Sequence, residues 1–139
     1  VEYAFVFENM IELCPPKVLD VGTGITALPQ LIRTCGPNVT AIDNISDYWP
    51  EGMVNRHYHV VNDNILNSNL TDKFNMISCI STLEHIENHN AAVSAMFGLL
   101  APGGRLVLTF PYCEGEYIPN VYALEGSIGA HVYPFKTQV

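Results

Sequence analysis

Five short apolar runs, separated by segments with helical spacing, constrain the fold of this chain more than any other feature of its sequence. The runs lie at residues 17–21, 39–43, 58–62, 74–81 and 105–110. Runs that are apolar at nearly every position indicate strands buried on both faces, as in parallel sheets covered by helices. The sequence therefore predicts an α/β domain with a doubly wound, mostly parallel sheet.

Helices are predicted between these strands. Apolar residues at helical spacing predict helices at residues 1–14, 26–36 and 90–100. Thr26 is the expected N-cap of the second helix. The apolar face of the third helix is expected to comprise Ala92, Val93, Met96, Phe97 and Leu100. A short or irregular crossover is expected at residues 44–56. Helices on both faces of the sheet complete a Rossmann-like architecture.

The last part of the chain, from residue 111 onward, differs from the rest because it is rich in tyrosine, glycine and proline. A segment of this length without periodicity is uncommon inside a compact domain. It is expected to be either a loop that covers a substrate or the start of further elements. Residues 1–139 are therefore predicted to form a single domain, apparently truncated after the fifth strand and incomplete at its C-terminus.

The segment VLDVGTGITALP, residues 18–29, joins the first strand to the following helix. Gly22 and Gly24 permit a tight turn and close backbone approach, and the helix N-terminus offers unpaired N–H groups to a ligand. The dinucleotide pattern GxGxxG has Ala27 at its third glycine position, where alanine can serve. The spacing is compatible with a dinucleotide site, a site for another nucleotide, or an ordinary strand-to-helix turn.

Three successive predicted strands end in an aspartate, namely Asp20, Asp43 and Asp63. The carboxyl ends of parallel strands meet at one edge of a sheet, so these carboxylates are expected to form an anionic rim. Asp20 would repel a pyrophosphate. Asp43 is placed to accept hydrogen bonds from ribose hydroxyls, and Asp63 from an adenine amino group. The rim therefore favours a cationic adenosine derivative.

Five segments in order along residues 17–111 resemble the successive motifs of class I S-adenosylmethionine-dependent methyltransferases: VLDVGTG, VTAID, VVNDNI, FNMISCISTLEHI and LLAPGGRLVLTFP. The resemblance implies S-adenosylmethionine as the cofactor. The cofactor-binding residues that it implies are Asp20, Gly22, Gly24, Asp43, Asn44, Ile45, Asp63, Asn64 and Ser81. In this assignment Asn44 and Ile45 flank the adenine, and Ser81 lies under the methionine moiety.

Methyl transfer from this cofactor is an in-line displacement, in which an enzyme orients two reactants and excludes water. A base is needed only when the acceptor loses a proton as it attacks. Glu84, His85 and His89 follow the fourth strand. His85 lies nearest the strand edge and is the candidate catalytic base, with a structural histidine as the alternative. The predicted methyl acceptor is a small molecule.

Charge and cysteine content limit the partners of the chain. The formal charge is −8, from 14 acidic and 6 basic residues, so a nucleic-acid partner is not expected. No apolar run approaches the ~20 residues of a membrane span, so no membrane partner is expected. The cysteines form no CxxC pair and have no zinc spacing to a histidine, so no metal site is expected. They are interpreted as buried free thiols of a cytoplasmic protein.

Two other functions stay open at this point. A nicotinamide-dependent (NAD) oxidoreductase would share the glycine turn and Asp43. It has no use for Asp20, however, and leaves the STLEHI and LAPGG segments unexplained. A non-catalytic domain that keeps the fold as a binding module is the second alternative.

Overall fold

The computed structural model describes residues 1–45, 58–129 and 135–138. The helices are α1 (Glu2–Leu13), α2 (Leu28–Thr34) and α3 (His89–Leu99), and the strands are β1 (Lys17–Val21), β2 (Asn38–Asp43), β3 (Val61–Asn62), β4 (Phe74–Ile80) and β5 (Leu100–Thr109). All strand pairs are parallel, and the sheet has the order β3-β2-β1-β4-β5. The predicted fold class is confirmed. The strand order reverses between β1 and β4, which is where ligands bind in such sheets.

Neighbouring residues of β1 divide the core between the two faces of the sheet. Val18 belongs to a buried cluster with Val6 of α1 and Ile32 of α2. Leu19 belongs to a separate buried cluster with Met96 of α3. Successive strand residues point to opposite faces, so helices on both sides require apolar residues at consecutive positions. This explains the nearly continuous apolar run.

The predicted N-cap of α2 is wrong. The helix begins at Leu28, and Ala27 occupies the N-cap position without a side-chain cap. The Thr26 amide instead bonds the Thr23 carbonyl at 3.3 Å, so Thr26 belongs to the preceding turn. Pro29 lies in the first turn of the helix, where its missing N–H costs nothing.

Two strand boundaries differ from the prediction by more than one residue. β3 is limited to Val61–Asn62 rather than residues 58–62. β5 begins at Leu100 rather than at residue 105, because Phe74 of β4 already pairs with Leu100. A register shift follows in this pair of strands, so the APGG segment bulges out and then rejoins the ladder.

The predicted buried face of α3 is confirmed at Ala92, Met96 and the partly buried Val93, and is wrong at Phe97. Ala92 and Met96 are fully buried, whereas Phe97 is 60% exposed. Leu100 already belongs to β5. Successive residues of a helix are rotated by about 100°, so Phe97 points away from the face that Ala92 and Met96 form. The predicted crossover at residues 44–56 lies largely outside the described residues.

The four cysteines are free, as predicted, but they are not all buried. Cys79 is buried, Cys113 is partly exposed, and Cys14 and Cys35 are exposed. Cys14 ends α1 in the left-handed conformation, and its thiol donates to the Ile11 carbonyl of the last turn. No helix in the described ranges is long and apolar enough to cross a membrane.

The chain after β5 folds back toward the carboxyl edge of the sheet. We call residues 118–129 and 135–138 the return segment. Ile118 and Gln138 pair in an antiparallel bridge, and the Thr137 amide donates to the Glu84 carbonyl at 2.7 Å. These contacts place the return segment on the 3-10 turn Leu83–His85, which follows β4.

Candidate functional site

A cavity of about 750 Å³ opens at the carboxyl edge of the sheet. Its volume lies within the range of about 300–1,000 Å³ typical of small-molecule sites. Its apolar lining residues are Val21, Ile25, Ile42, Ile65, Leu66, Ile80 and Ile86. Eight of the ten predicted site residues also line it, namely Gly22, Gly24, Asp43, Asn44, Asp63, Asn64, Ser81 and His85. Asp20 and Ile45 do not belong to its lining.

The glycine loop forms one wall of the cavity and is tied to the end of β2. Gly22 and Gly24 both have positive φ, at +69° and +54°. The Gly24 amide donates to Asp43 Oδ2 at 2.7 Å. A β-carbon at Gly22 would overlap the Thr82 side chain, whose hydroxyl donates to the Gly22 carbonyl at 3.0 Å. Conformation and space therefore both require glycine at position 22.

Asp20 lies beneath this loop rather than on the cavity wall. Its side chain is buried, and Ser78 Oγ donates to Asp20 Oδ1 at 2.5 Å. The pKa of Asp20 is raised to about 6, mainly by burial and to a lesser degree by the charge of Asp43, while hydrogen bonds from Ser78 and Thr23 oppose the shift. Asp20 thus places a carboxyl group under the loop. Direct contact between Asp20 and a cofactor stays a prediction.

The residues after β2 and β3 stabilise their own turns. Asp63 Oδ2 accepts a hydrogen bond from Ser68 Oγ at 2.6 Å, and Asn64 Oδ1 accepts from the Leu66 amide at 3.0 Å. The Ile45 amide donates to Asn62 Oδ1 at 3.1 Å. Each Asp63 oxygen has further lone pairs, so these bonds leave the carboxylate able to accept from a ligand.

Ser81 follows β4 in a left-handed conformation, with φ +47°. Its hydroxyl donates to Glu2 Oε1 at 2.7 Å, and Thr109 Oγ1 donates to the same atom at 2.6 Å. Hydrogen bonds from Thr109 and Ser81 lower the pKa of Glu2. Glu2 therefore ties the start of α1 to the ends of β4 and β5, beside the cavity.

His85 is the point where the cavity wall meets the return segment. Its Nδ1 lies 3.2 Å from the Phe135 carbonyl oxygen. Its ring stacks on Tyr122, with centroids 6.3 Å apart and planes 13° apart. Burial lowers the pKa of His85; the Phe135 bond opposes this, and the charge of Lys136 lowers the pKa further.

The apolar lining residues were not predicted individually, and neither were two polar residues that hold the glycine loop, Thr82 and Tyr58. Thr82 follows the end of β4 as Ser81 does, so the strand-edge argument that selected Ser81 applied equally to it. Tyr58 braces the glycine loop: its hydroxyl donates to the Thr26 carbonyl at 2.6 Å and lies 3.1 Å from Thr23 Oγ1. No sequence signal pointed to Tyr58, which is 35 residues from Thr23 along the chain.

The lining suits a nucleoside with a cationic group better than a pyrophosphate. Carboxylates of Asp43 and Asp63 stand among apolar walls, and none of the described lining residues is lysine or arginine. Two phosphates would meet these carboxylates without a compensating cation. In the described part of the chain, no group of histidine, cysteine, aspartate and glutamate is arranged to hold a metal ion.

Comparison with known proteins identifies the family of this chain. Residues 5–124 match the family described as "Methyltransferase domain". A ubiquinone biosynthesis O-methyltransferase of Xanthomonas oryzae pv. oryzae (strain PXO99A) is 32% identical over 106 residues, which are 71% of this chain and 44% of that protein. One from Dechloromonas aromatica (strain RCB) is 30% identical over 111 residues, 73% of this chain and 47% of that protein. The chain thus spans less than half the length of these relatives.

Solved structures share the fold. An S-adenosylmethionine-bound amino pentose methyltransferase from Micromonospora echinaspora superposes with a TM-score of 0.64 at 24% identity, covering 84% of this chain and 52% of that one. A putative methyltransferase from Bacillus halodurans C-125 has a TM-score of 0.66 at 21% identity, covering 83% and 53%. The chain belongs to the methyltransferase-domain family and has the fold that these methyltransferase structures share.

Proposed function

We propose that this chain binds S-adenosylmethionine in the edge cavity and forms the cofactor-binding part of an enzyme that methylates a small molecule. The observation that carries the proposal is the cavity itself. It is lined by the glycine loop and by the strand-end carboxylates of Asp43 and Asp63, without lysine or arginine among its described lining residues. The match to the methyltransferase-domain family over residues 5–124 supports the same assignment.

Each part of the cavity would hold a different part of the cofactor. Asp43 would accept from the ribose hydroxyls, and Asp63 from the adenine amino group, between the apolar walls. Gly22 and Gly24 would allow the methionine moiety to approach the backbone, with Ser81 beneath it. When bound, S-adenosylmethionine supplies an activated methyl group. The chain's own residues would orient the reactants and keep water away, effects that can lower the barrier by several kcal/mol.

His85 is the proposed base, because it is the histidine among the described residues of the cavity lining and its lowered pKa favours the neutral ring that can take a proton. The proposed acceptor is a small molecule. This agrees with the relatives' names, which describe methyltransferases of ubiquinone biosynthesis and of an amino pentose. We further propose that residues 1–139 contribute to one domain in the cytoplasm, which the four free cysteines support.

Calorimetric titration tests the cofactor assignment. S-adenosylmethionine and S-adenosylhomocysteine should each bind saturably, whereas NADH should not. The Asp43→Ala variant should weaken binding by about 1–3 kcal/mol through the loss of hydrogen bonds to a charged acceptor. Asp72→Ala is the matched control, because the Asp72 carboxylate pairs with Lys17 at the opposite edge of the sheet and should leave affinity unchanged.

Two results would contradict the proposal. Saturable NADH binding without S-adenosylmethionine binding would favour the oxidoreductase alternative. Cofactor binding with no formation of S-adenosylhomocysteine by the complete protein, across a broad panel of small hydroxyl and amine acceptors, would favour a non-catalytic binding module.

A further inference from the structure

We propose that the return segment is a positioning device for His85, in which the Phe135 carbonyl and the Tyr122 ring fix Nε2 as the nitrogen that takes a proton from the methyl acceptor. The inference rests on the proposed function, since it assumes an acceptor that loses a proton as it is methylated. It adds a role for a part of the chain that the cofactor site does not use.

The first step of the argument concerns the tautomer of His85. The Phe135 carbonyl oxygen, 3.2 Å from Nδ1, can only accept a hydrogen bond. The contact therefore requires a proton on Nδ1. In a neutral imidazole the other nitrogen, Nε2, then carries the lone pair. A general base needs this lone pair, so the return segment selects the catalytically useful nitrogen.

The second step concerns the orientation of the ring. Tyr122 stacks on His85 with nearly parallel planes, 13° apart. On the backbone side, the His85 amide donates to the Thr82 carbonyl at 2.9 Å. The ring is thus restrained from its backbone, from its Nδ1 atom and from one face. Such restraint favours a single geometry toward the cavity.

The third step concerns how firmly the return segment itself is held. The Thr137 amide donates to the Glu84 carbonyl, and the Val121 amide donates to the Lys136 carbonyl, both at 2.7 Å. Asn120 Oδ1 accepts from the Lys136 amide at 3.1 Å. These bonds join the two stretches of the return segment, which carry Tyr122 and Phe135, to the turn that carries His85.

Charged groups of both signs lie near His85, but burial favours its neutral ring. Lys136 of the return segment acts on His85 through its charge, Glu84 precedes His85 in the same turn, and Glu87 follows two residues later and lines the cavity. Burial and the charge of Lys136 both lower the pKa of His85. The return segment therefore supplies the tautomer, the stacking surface and one of the charges that favour the base form.

This arrangement defines the class of acceptor. It suits a hydroxyl or an amine whose bound proton must leave for the reaction to finish. In the balanced step, the acceptor oxygen or nitrogen gains the methyl group and its proton passes to Nε2. The electron pair of the broken carbon–sulfur bond stays on the departing thioether sulfur.

Nitrogen-15 NMR of the histidine-labelled protein tests the proposal without needing turnover. Wild type and Tyr122→Phe, which keeps the stacked ring, should show His85 protonated at Nδ1. Tyr122→Ala should show a mixture of tautomers and a higher pKa for His85, and the acidic limb of the kcat/KM pH profile should shift upward with it. Tyr117→Ala is the matched control, because Tyr117 is an exposed tyrosine of the same region.

The outcomes separate this inference from the proposed function. If S-adenosylhomocysteine binds but wild-type His85 is protonated at Nε2, or if Tyr122→Ala leaves both tautomer and pH profile unchanged, the inference is overturned and the cofactor site stands. If S-adenosylhomocysteine does not bind at all, the proposed function itself fails. His85→Gln should retain S-adenosylhomocysteine binding and lose about 10²–10⁴-fold in kcat, the usual contribution of a general base.

Discussion

Asp20 shows how one buried side chain can oppose the stability of the fold. It is a buried carboxyl group beside a second carboxylate, Asp43, and its principal compensation is the hydrogen bond from Ser78. The raised pKa of about 6 means that the folded chain resists the ionised form. A cationic ligand bound above the loop would stabilise the ionised form of Asp20, as expected for a site that binds a cationic cofactor.

Replacing Asp20 by asparagine should make the pH dependence of stability visible. The pKa of Asp20 is about 6 in the folded chain, whereas its ordinary value is 3.8, so the folded state holds more protons than the unfolded state between these values. The free energy of unfolding therefore falls as pH rises through this window. Asp20→Asn should remove this loss, with a gain at pH 7 of up to about 3 kcal/mol.

Urea denaturation at pH 4, 5, 6 and 7 measures this effect as the difference between variant and wild type. The difference should grow across the window. The exposed Asp72→Asn variant should show no comparable growth. A difference that stays constant from pH 4 to 7 would mean that Asp20 ionises normally in the folded chain.

At the scale of elements, the unit formed by β1, the glycine loop and α2 positions the site. The loop is held by Asp43 on the side of β2 and by Thr82 on the side of β4. The Tyr58 hydroxyl donates a hydrogen bond to the Thr26 carbonyl, at the end of the loop before α2. The glycine loop is thus held by residues from the end of β2, from the segment before β3 and from the segment after β4.

Gly22→Ala should therefore lower the free energy of unfolding by more than the left-handed backbone conformation alone accounts for. A left-handed φ costs a residue with a β-carbon about 1–2 kcal/mol, and here the β-carbon would also overlap Thr82. Gly103→Ala is the matched control, because Gly103 has a similar φ of +75° with nothing within 4 Å of the added carbon. Gly22→Ala should show the lower free energy of unfolding in urea and should lose cofactor affinity, whereas equal stability losses would rule out the clash.

At the scale of the whole molecule, the sheet is held between two separate cores. One contains α1 and α2, and the other contains α3 together with the segments that follow β3 and β4. Because the cavity is built on the ends of strands packed from both sides, loosening either core should disturb the carboxyl edge.

Met96→Ala tests the core under α3. Met96 is fully buried, so its truncation should lower the free energy of unfolding by about 2–5 kcal/mol. Phe97→Ala is the comparison on the same helix. Phe97 is 60% exposed, so its truncation should lower the free energy of unfolding much less, although the side chain is larger. Thermal denaturation of both variants checks this, and the reverse order of stability would show that α3 is rotated.

The sequence by itself determined the fold class, the direction of the strands and the edge that carries the site. These properties follow from local patterns: apolar runs buried on both faces, and polar residues where strands end. The residues Gly22, Gly24, Asp43 and Asp63 were found in this way, and all four line the cavity. Boundaries such as those of α2 and β5 were less predictable, because neighbouring strands and turns decide them.

Only the tertiary structure decided how the site is supported. Asp20 meets Ser78 across 58 residues of chain, and His85 meets Phe135 across 50. Contacts of this kind leave no periodic trace in the sequence, because each partner is chosen by the packing of distant segments. The same packing placed Asp20 under the loop and brought the return segment, whose role the sequence left open, onto His85.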